Sequence, residues 1–405
     1  MRITVVSKYA PVPGYGSNPR WFELAKRLSA QGHQFEIITS DSNHGCSFRV
    51  EEGKSTELEI EDVSFLIIKT LKYNKTASVM RVLSWFDFDV KLFRFRRHIS
   101  PDVVVISSLS LTPILFGIYL KCFKRTRLVF EVRDVWPLTL VEEGKFSPLN
   151  PFSLFLRAIE LLGYKHADLI VGTMPNLKQH VADSGVKKPT TAFHSCGIGV
   201  DVARVRSSKP FKFDTQTEKR IKGRIVVGYC GSIGLTNNLD DFAKYMETRN
   251  TMDVVFLIAG DGAQKQSLEQ QFSTQKNVIF LGKIHPDDVQ GFLRRCDILF
   301  LATMPSRVWD YGQSMNKVVD YMLAGKFIIA QYEGHPSMIN EADCGIFTCG
   351  TGLAKCFEDA FRMRPEMRRS KGLSGRAWLL QHHNYDLLAQ NYIDKIKHLE
   401  GIKRL

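Results

Sequence analysis

The stretch Tyr311 to Ala330, YGQSMNKVVDYMLAGKFIIA, predicts a helix followed directly by a short buried strand. Ser314 is the predicted N-cap of this helix. Apolar residues recur at the spacing of one helical face, and they are Val318, Val319, Met322 and Leu323. A helix that leads into a buried strand is half of a βαβ unit, so this stretch predicts a parallel sheet.

Two charged residues, Lys317 and Asp320, project from another face of the same helix. Residues three apart on a helix lie about 5 to 6 Å from one another, so one ligand can contact both. Helix N-termini attract phosphate, and a cation there opposes the helix dipole unless an anion lies close. We therefore predict a nucleoside diphosphate site, with Lys317 at the phosphates and Asp320 at the ribose hydroxyls. The alternative is a surface ion pair between the two side chains.

Strand and helix signals alternate along nearly the whole chain of 405 residues, which is long enough for two domains. We predict two α/β domains, each a parallel sheet with helices on both faces, and a cleft between them. The predicted boundaries are residues 1–200, a linker at 201–222, residues 223–380, and a C-terminal helix at 381–405 that packs back on the first domain. The clearest predicted strands are Val103–Ser107, Arg127–Val132, Ile225–Cys230, Val254–Ala259 and Ile298–Ala302.

The net charge of +13 is concentrated in the first half of the chain. Residues 1–222 hold 33 Lys and Arg against 22 Asp and Glu, which is +11, whereas the remainder holds 22 against 20, which is +2. This asymmetry predicts an anionic partner for the first domain, either a membrane surface or an anionic lipid-linked substrate. Nucleic acid ranks low, because no DNA- or RNA-binding motif surrounds the basic residues.

One segment, Met80 to Ile99, mixes aromatic and basic residues, MRVLSWFDFDVKLFRFRRHI, and suits an anionic bilayer surface. The alternative is that its aromatic residues pack into the first domain. A second basic group follows at Lys121, Lys124, Arg125 and Arg127. The eight cysteines occur singly, and the N-terminus lacks the apolar core of a signal peptide. We expect a cytoplasmic protein that is peripheral at the inner face of the membrane.

Three glycine turns follow predicted strands of the second half, at the edge where parallel sheets bind ligands. The first contains Gly231, Ser232 and Gly234, the second Gly260 and Gly262, and the third Gly282, Lys283 and Ile284. Glycine allows backbone N–H groups to approach phosphate oxygens closely. Near the N-terminus, a loop with Gly14 and Gly16 precedes a helix that carries Arg20. This loop lacks the GxGxxG spacing of dinucleotide binders, so we predict an acceptor or closing loop there.

Taken together, these motifs resemble the retaining family-4 glycosyltransferases of the GT-B fold over nearly the whole chain. The motifs of the second half are AGDG at residues 259–262, FLGKI at residues 280–284 and NKVVDYMLAGK at residues 316–326. In the first half, FEVRDVWP at residues 130–137 is similar to the subgroup that builds O-antigen and capsule, including transferases of N-acetylfucosamine-type sugars.

The resemblance implies that a UDP-sugar binds the second domain and a polyprenyl-diphosphate-linked glycan binds the first. Asn316 and Lys317 would meet the diphosphate, Asp320 the ribose, and the Gly282 turn the base. Asp134 would orient the donor sugar or the acceptor hydroxyl, and its alternative role is a turn cap. The first acid of the family's acid-x7-acid motif would fall at Gly312, where it is missing.

The chemistry implied by the resemblance needs positive charge at the leaving group and neither a covalent nucleophile nor a metal ion. In retaining members a phosphate oxygen accepts the proton of the attacking hydroxyl. We therefore expect no cofactor. Two alternatives stay open: a sugar-nucleotide epimerase of the same fold, for which the sequence offers no convincing set of carboxylates and histidines, and a nucleotide-sugar-binding protein without catalysis.

Overall fold

The chain folds into two compact units in the computed structural model, which describes residues 1–16, 19–43, 45–74, 78–186, 192–202, 210–234, 237–249, 251, 253–348 and 352–401. The first unit is Met1–Gly199 with Tyr385–Leu405, and the second is Val200–Asn384. Of the predicted linker 201–222, residues 203–209 lie outside the described residues, and a short helix, Thr215–Ile221, belongs to the second unit.

The first unit is built on an eight-stranded sheet of order β3-β4-β2-β1-β5-β6-β7-β8, in which only β3 runs antiparallel to its neighbour. Its strands are β1 Arg2–Val6, β2 Gln34–Ser40, β3 Ser55–Ile60, β4 Val63–Ile68, β5 Val103–Ser107, β6 Arg127–Val132, β7 Leu169–Gly172 and β8 Ala192–Ser195. The central strands β1, β5 and β6 are buried almost throughout, as apolar runs in a covered parallel sheet must be.

The helices of this unit are α1 Arg20–Ser29, α2 Val79–Arg94, α3 Ile114–Lys124, α4 Leu138–Glu142, α5 Pro151–His166, α6 Leu177–Asp183 and, after the second unit, α15 Tyr385–Gly401. The last of these packs on α1, where Trp21 and Tyr392 meet edge to face with ring centroids 5.5 Å apart. An ion pair between Arg27 and Asp386 at 2.6 Å borders the same contact. The chain thus returns to its first unit after completing the second.

The second unit is built on a six-stranded, fully parallel sheet of order β11-β10-β9-β12-β13-β14. Its strands are β9 Ile225–Cys230, β10 Val254–Ala259, β11 Val278–Gly282, β12 Ile298–Ala302, β13 Phe327–Gln331 and β14 Gly345–Thr348. Its helices are α7 Thr215–Ile221, α8 Asp240–Thr248, α9 Lys265–Gln271, α10 Val289–Arg294, α11 Asn316–Ala324, α12 Met338–Glu341, α13 Leu353–Arg362 and α14 Pro365–His382. Phe242 stacks on Phe300 at 4.1 Å between ring centroids, and Phe256 and Phe357 complete this part of the core.

The predicted fold class of two Rossmann-like α/β domains is confirmed by these sheets. One local prediction is wrong. Ser314 does not cap α11, because the helix begins at Asn316 with Met315 at its N-cap and no side-chain cap. In the same unit a 3-10 turn, Pro286–Asp288, leads directly into α10. The hairpin of β3 and β4 was not predicted, and it turns through Glu61 and Asp62, which both have positive φ.

Candidate functional site

Three glycine turns are stacked on one another at the carboxyl edge of the second sheet, after β9, β10 and β11. A Cβ atom added to Gly260 would lie 1.8 Å from the carbonyl oxygen of Gly231, and one added to Gly262 would lie 2.3 Å from that of Ile233. Both glycines also have positive φ, of 149° and 155°. These positions require glycine because the turns contact one another backbone to backbone.

Most of the N–H groups in these turns hold the stack together. The N–H of Gly231 donates to Ala259 at 3.0 Å, and that of Gly260 donates to Gly282 at 2.8 Å. The N–H groups of Gly231 and Gly260 are therefore used within the protein. Within the described ranges, the N–H groups of Ser232 and Gly234 have no protein acceptor, so the first turn keeps two donors for a ligand.

The side chain of Lys317 extends from the first turn of α11 over the first glycine turn. Its Nζ donates to Asn237 Oδ1 at 2.7 Å and to Tyr229 Oη at 3.0 Å, and it lies 4.5 Å from the centre of the Tyr229 ring. A Cβ on Gly231 would come within 2.6 Å of Lys317 Cε, so glycine makes room for the lysine as well. The ammonium and the two N–H groups of the first glycine turn therefore belong to one site.

Burial lowers the pKa of Lys317 from 10.5 to about 8, although its side chain is only half-buried by accessible surface. No carboxylate raises this pKa. The hydrogen bonds of Lys317 run to two neutral groups, Tyr229 and Asn237, and neither of them neutralises its charge as a carboxylate would. A cation that is partly desolvated beside neutral groups is prepared for an anionic ligand.

The remaining predicted nucleotide residues flank this lysine. Asp320 is half-buried one turn further along α11, where Gln290 Nε2 donates to its backbone oxygen at 3.0 Å and to Oδ1 at 3.5 Å. Asn316, the first residue of α11, is exposed. In the third turn Lys283 is exposed and Ile284 is half-buried. Tyr321 fixes α11 against β9, because its Oη accepts the N–H of Cys230 at 2.9 Å.

Gly312 and Gln313 occupy the place where the family pattern has its first acid. Gly312 has φ 99° and ψ 172°, a conformation that residues with a side chain rarely adopt, so glutamate does not fit this backbone. Gln313 is only 7 % exposed, and neither atom of its amide has a hydrogen-bond partner among the described residues. Sequence reasoning missed Gln313, since an isolated polar residue before a helix carries no signal of burial.

Asp134 of the first unit uses both carboxylate oxygens within its own turn. Oδ2 accepts from Trp136 Nε1 at 2.8 Å, and Oδ1 accepts from Thr139 Oγ1 at 2.6 Å. Burial raises its pKa. These contacts tie the end of β6 to α4 across a cis Trp136–Pro137 peptide bond. This geometry is that of the alternative role, the turn cap, and a catalytic role for Asp134 stays a prediction.

Arg20 lies in the core of the first unit at 2 % exposed. Its Nη1 forms an ion pair of 2.8 Å with Glu131, which is fully buried, and its Nη2 donates to the carbonyl of Cys196 at 2.9 Å. This placement corrects the prediction that Arg20 contacts the acceptor. Gly14 and Gly16 are exposed, and a Cβ on Gly14 would meet nothing within 4 Å. The following residues 17 and 18 lie outside the described residues.

Comparison with known families decides what kind of site this is. The chain matches the family model described as "Glycosyl transferase 4-like domain" over residues 15–197 and the one described as "Glycosyl transferases group 1" over residues 224–362. The chain is a glycosyltransferase of the family-4 type. Both halves of the glycosyltransferase are covered, and the second match contains the three glycine turns and α11. No curated protein matches the glycosyltransferase in sequence.

Solved structures show the fold of the glycosyltransferase to be GT-B. Sucrose-phosphate synthase from Thermosynechococcus elongatus superposes with a TM-score of 0.73 at 13% identity, over 99% of both chains. Anabaena Alr3699/HepE in complex with UDP-glucose gives 0.66 at 14% identity, over 98% of this chain and 100% of that one. WaaG, a glycosyltransferase involved in lipopolysaccharide biosynthesis, gives 0.64 at 14% identity, over 97% and 99%. In the part of the chain that the structure describes, no helix has the length and apolarity to cross a membrane.

Proposed function

We propose that the protein is a retaining glycosyltransferase that moves a hexosyl or N-acetylhexosaminyl group from a UDP-sugar to a polyprenyl-diphosphate-linked glycan in O-antigen or capsule synthesis. The proposal of a nucleotide-sugar donor rests on one observation: Lys317 is held over the first glycine turn, beside two N–H groups that have no acceptor among the described residues. A related structure contains UDP-glucose, and another related protein is involved in lipopolysaccharide biosynthesis, which supports the choice of donor and pathway class.

In this proposal the diphosphate displaces Asn237 from Lys317 and takes hydrogen bonds from the N–H groups of Ser232 and Gly234. Asp320 accepts from the ribose hydroxyls, and the Gly282 turn borders the base. As the sugar–phosphate bond breaks, negative charge develops on the diphosphate, and the fixed Lys317 charge stabilises it more than it stabilises the bound donor. The acceptor hydroxyl attacks the face that the diphosphate leaves and gives its proton to a phosphate oxygen. No metal ion is required in this scheme.

Gln313 takes the place of the missing acid in our proposal. Leaving its amide unpaired in the core costs about 1 to 3 kcal/mol for each unsatisfied group, a cost that a bound sugar would remove by hydrogen bonding to it. An amide both donates and accepts, so it suits the hydroxyl or acetamido groups of a sugar. The proposed reaction assigns no step to Asp134, because both of its carboxylate oxygens accept hydrogen bonds within its own turn.

The test is nucleotide release from a panel of UDP-, GDP- and dTDP-sugars, with and without a detergent-solubilised polyprenyl-diphosphate-linked sugar. We expect one UDP-sugar to be consumed only when acceptor is present, with the product anomer retained. Lys317→Met should abolish release, and the matched variant Lys244→Met, which removes an exposed lysine of the same unit, should not. Donor binding without release under any acceptor condition would instead identify a non-catalytic binding protein.

A further inference from the structure

Helix α2 presents apolar side chains on two opposite faces. The inner face is buried and contains Ser84, Trp85, Phe88 and Leu92. The outer face carries side chains that are between 41 % and 75 % exposed, and they are Val79, Met80, Leu83, Phe86 and Val90. The spacing of Val79, Leu83, Phe86 and Val90 is that of a single stripe along a helix. Single exposed apolar residues are common on protein surfaces, whereas a continuous stripe of them marks a surface that contacts something else.

A second helix extends this stripe. Phe86 of α2 lies 6.1 Å from Phe155 of α5 between ring centroids, so the two helices share one surface. Along α5 the side chains of Leu154, Phe155 and Leu162 are between 37 % and 47 % exposed, and in the segment before it Phe146 and Leu149 are exposed as well. We name these residues, together with the outer face of α2, the α2–α5 surface.

The exposed charged residues on α2 and α5 are cationic. Arg94, Arg157 and Lys165 are exposed on the two helices. The three acidic residues of the same helices are withdrawn: Glu160 is buried and bonded to His180 at 2.7 Å, Asp87 pairs with Lys91 at 2.8 Å, and Asp89 is half-buried. An apolar surface bordered by basic side chains is complementary to a bilayer that carries anionic headgroups.

We propose that the α2–α5 surface docks the first unit onto an anionic lipid bilayer. This inference rests on the proposed function, because it places the unit assigned to the acceptor at the membrane that holds a lipid-linked glycan. The predicted segment Met80 to Ile99 contributes its outer-face residues to this surface, among them Leu83 and Phe86. Trp85 and Phe88 pack inward, and Phe93 packs on Phe116 at 5.2 Å, so the alternative of inward packing holds for these aromatic residues.

The experiment is flotation of the full chain with phosphatidylglycerol-containing vesicles and with pure phosphatidylcholine vesicles. We expect binding to the anionic vesicles that weakens in high salt. The double variant Leu83→Asp/Phe86→Asp should lower the bound fraction about tenfold or more, because both apolar contacts are lost and two like charges face the headgroups. The control Leu373→Asp changes a side chain of the second unit with 47 % exposure, and it should bind as the wild type does.

Two results would overturn the proposal. One is vesicle binding by the double variant equal to that of the wild type. The other is a wild-type dimer, detected by light scattering, that does not bind vesicles and that the double variant abolishes, since the surface would then contact a second copy. Nucleotide release in detergent separates this inference from the proposed function. The double variant should keep release, whereas Lys317→Met should lose release and keep vesicle binding.

Discussion

Replacing Lys317 with methionine is expected to stabilise the folded protein and to weaken donor binding in the same variant. In the free protein the ammonium is partly desolvated and hydrogen-bonded only to the neutral side chains of Tyr229 and Asn237. Methionine fills a similar volume without a charge to desolvate. Both former partners of the lysine keep a hydrogen-bonding partner. Tyr229 Oη already donates to the carbonyl of Ser232 at 2.6 Å, and Asn237 is half-buried with access to water.

The magnitude follows from the pKa of this lysine. The difference between 10.5 and about 8 corresponds to at most about 3 kcal/mol, at about 1.4 kcal/mol per pKa unit. Because the side chain is half-buried and water screens part of this cost, we expect Lys317→Met to raise the free energy of unfolding by about 1 to 2 kcal/mol at pH 7. Loss of charge-assisted contacts with the diphosphate should weaken UDP binding about 10- to 100-fold.

The stability difference between Lys317→Met and the wild type should depend on pH in a definite direction. The pKa of Lys317 is lower in the folded protein, so between pH 8 and pH 10.5 the unfolded chain retains the proton that the folded chain has lost. The penalty for the charged lysine is therefore complete below pH 8 and disappears as the pH rises toward 10.5. The advantage of Lys317→Met over the wild type should shrink across this range.

Urea unfolding followed by tryptophan fluorescence, at pH 7 and at pH 9.5, measures the stability difference, and titration calorimetry with UDP measures binding. Lys244→Met, which removes an exposed lysine of the same unit, is the control and should change neither quantity. The reasoning is refuted if Lys317→Met lowers the unfolding free energy by more than about 1 kcal/mol at pH 7 while UDP affinity is unchanged, because the lysine would then serve the fold alone.

Three further predictions concern single positions. Gly260→Ala should abolish UDP binding by calorimetry, because its Cβ collides with the first glycine turn. Gly14→Ala also places alanine at a positive φ but meets nothing within 4 Å, and it should leave affinity unchanged. Arg20→Met should lower the free energy of unfolding, measured in urea, by about 3 to 5 kcal/mol, because it leaves the Glu131 carboxylate buried without its ion-pair partner. Adding Glu131→Gln should recover part of this loss. Gln313→Met should leave the free energy of unfolding unchanged or raise it. The same variant should raise the KM for the sugar nucleotide about tenfold without weakening the binding of free UDP. An unchanged KM would show that Gln313 does not contact the sugar.

The sheets were predictable from the sequence where a strand is a continuous apolar run. β5, β6, β9, β10 and β12 have the predicted bounds, since all of their residues lie in sheets covered on both faces. The edge strand β3 was missed because Glu57 and Glu59 alternate with its apolar residues and the segment has the composition of a charged loop. An edge strand with one solvated face cannot be separated from a loop by hydrophobicity alone.

The sequence indicated which residues to assign to the candidate site, but it did not indicate how they pack. Local spacing located Lys317 and the glycine turns, yet it did not show that the glycines contact one another. Arg20 was misassigned because its partner Glu131 lies 111 residues away, and no local pattern marks such a pair. The exposed stripe on the outer face of α2 could not be predicted either, because the sequence of a helix that is apolar on two faces does not show which face packs on the core.

A crystal structure of the full chain soaked with UDP would show whether the second unit binds a nucleoside diphosphate between Lys317 and the first glycine turn. We expect diphosphate oxygens within hydrogen-bonding distance of Lys317 Nζ and of the N–H groups of Ser232 and Gly234, with the bond from Lys317 to Asn237 broken. We also expect the ribose at Asp320. A nucleotide bound elsewhere in the second unit, with Lys317 still bonded to Asn237, would show that Lys317 does not form the diphosphate site.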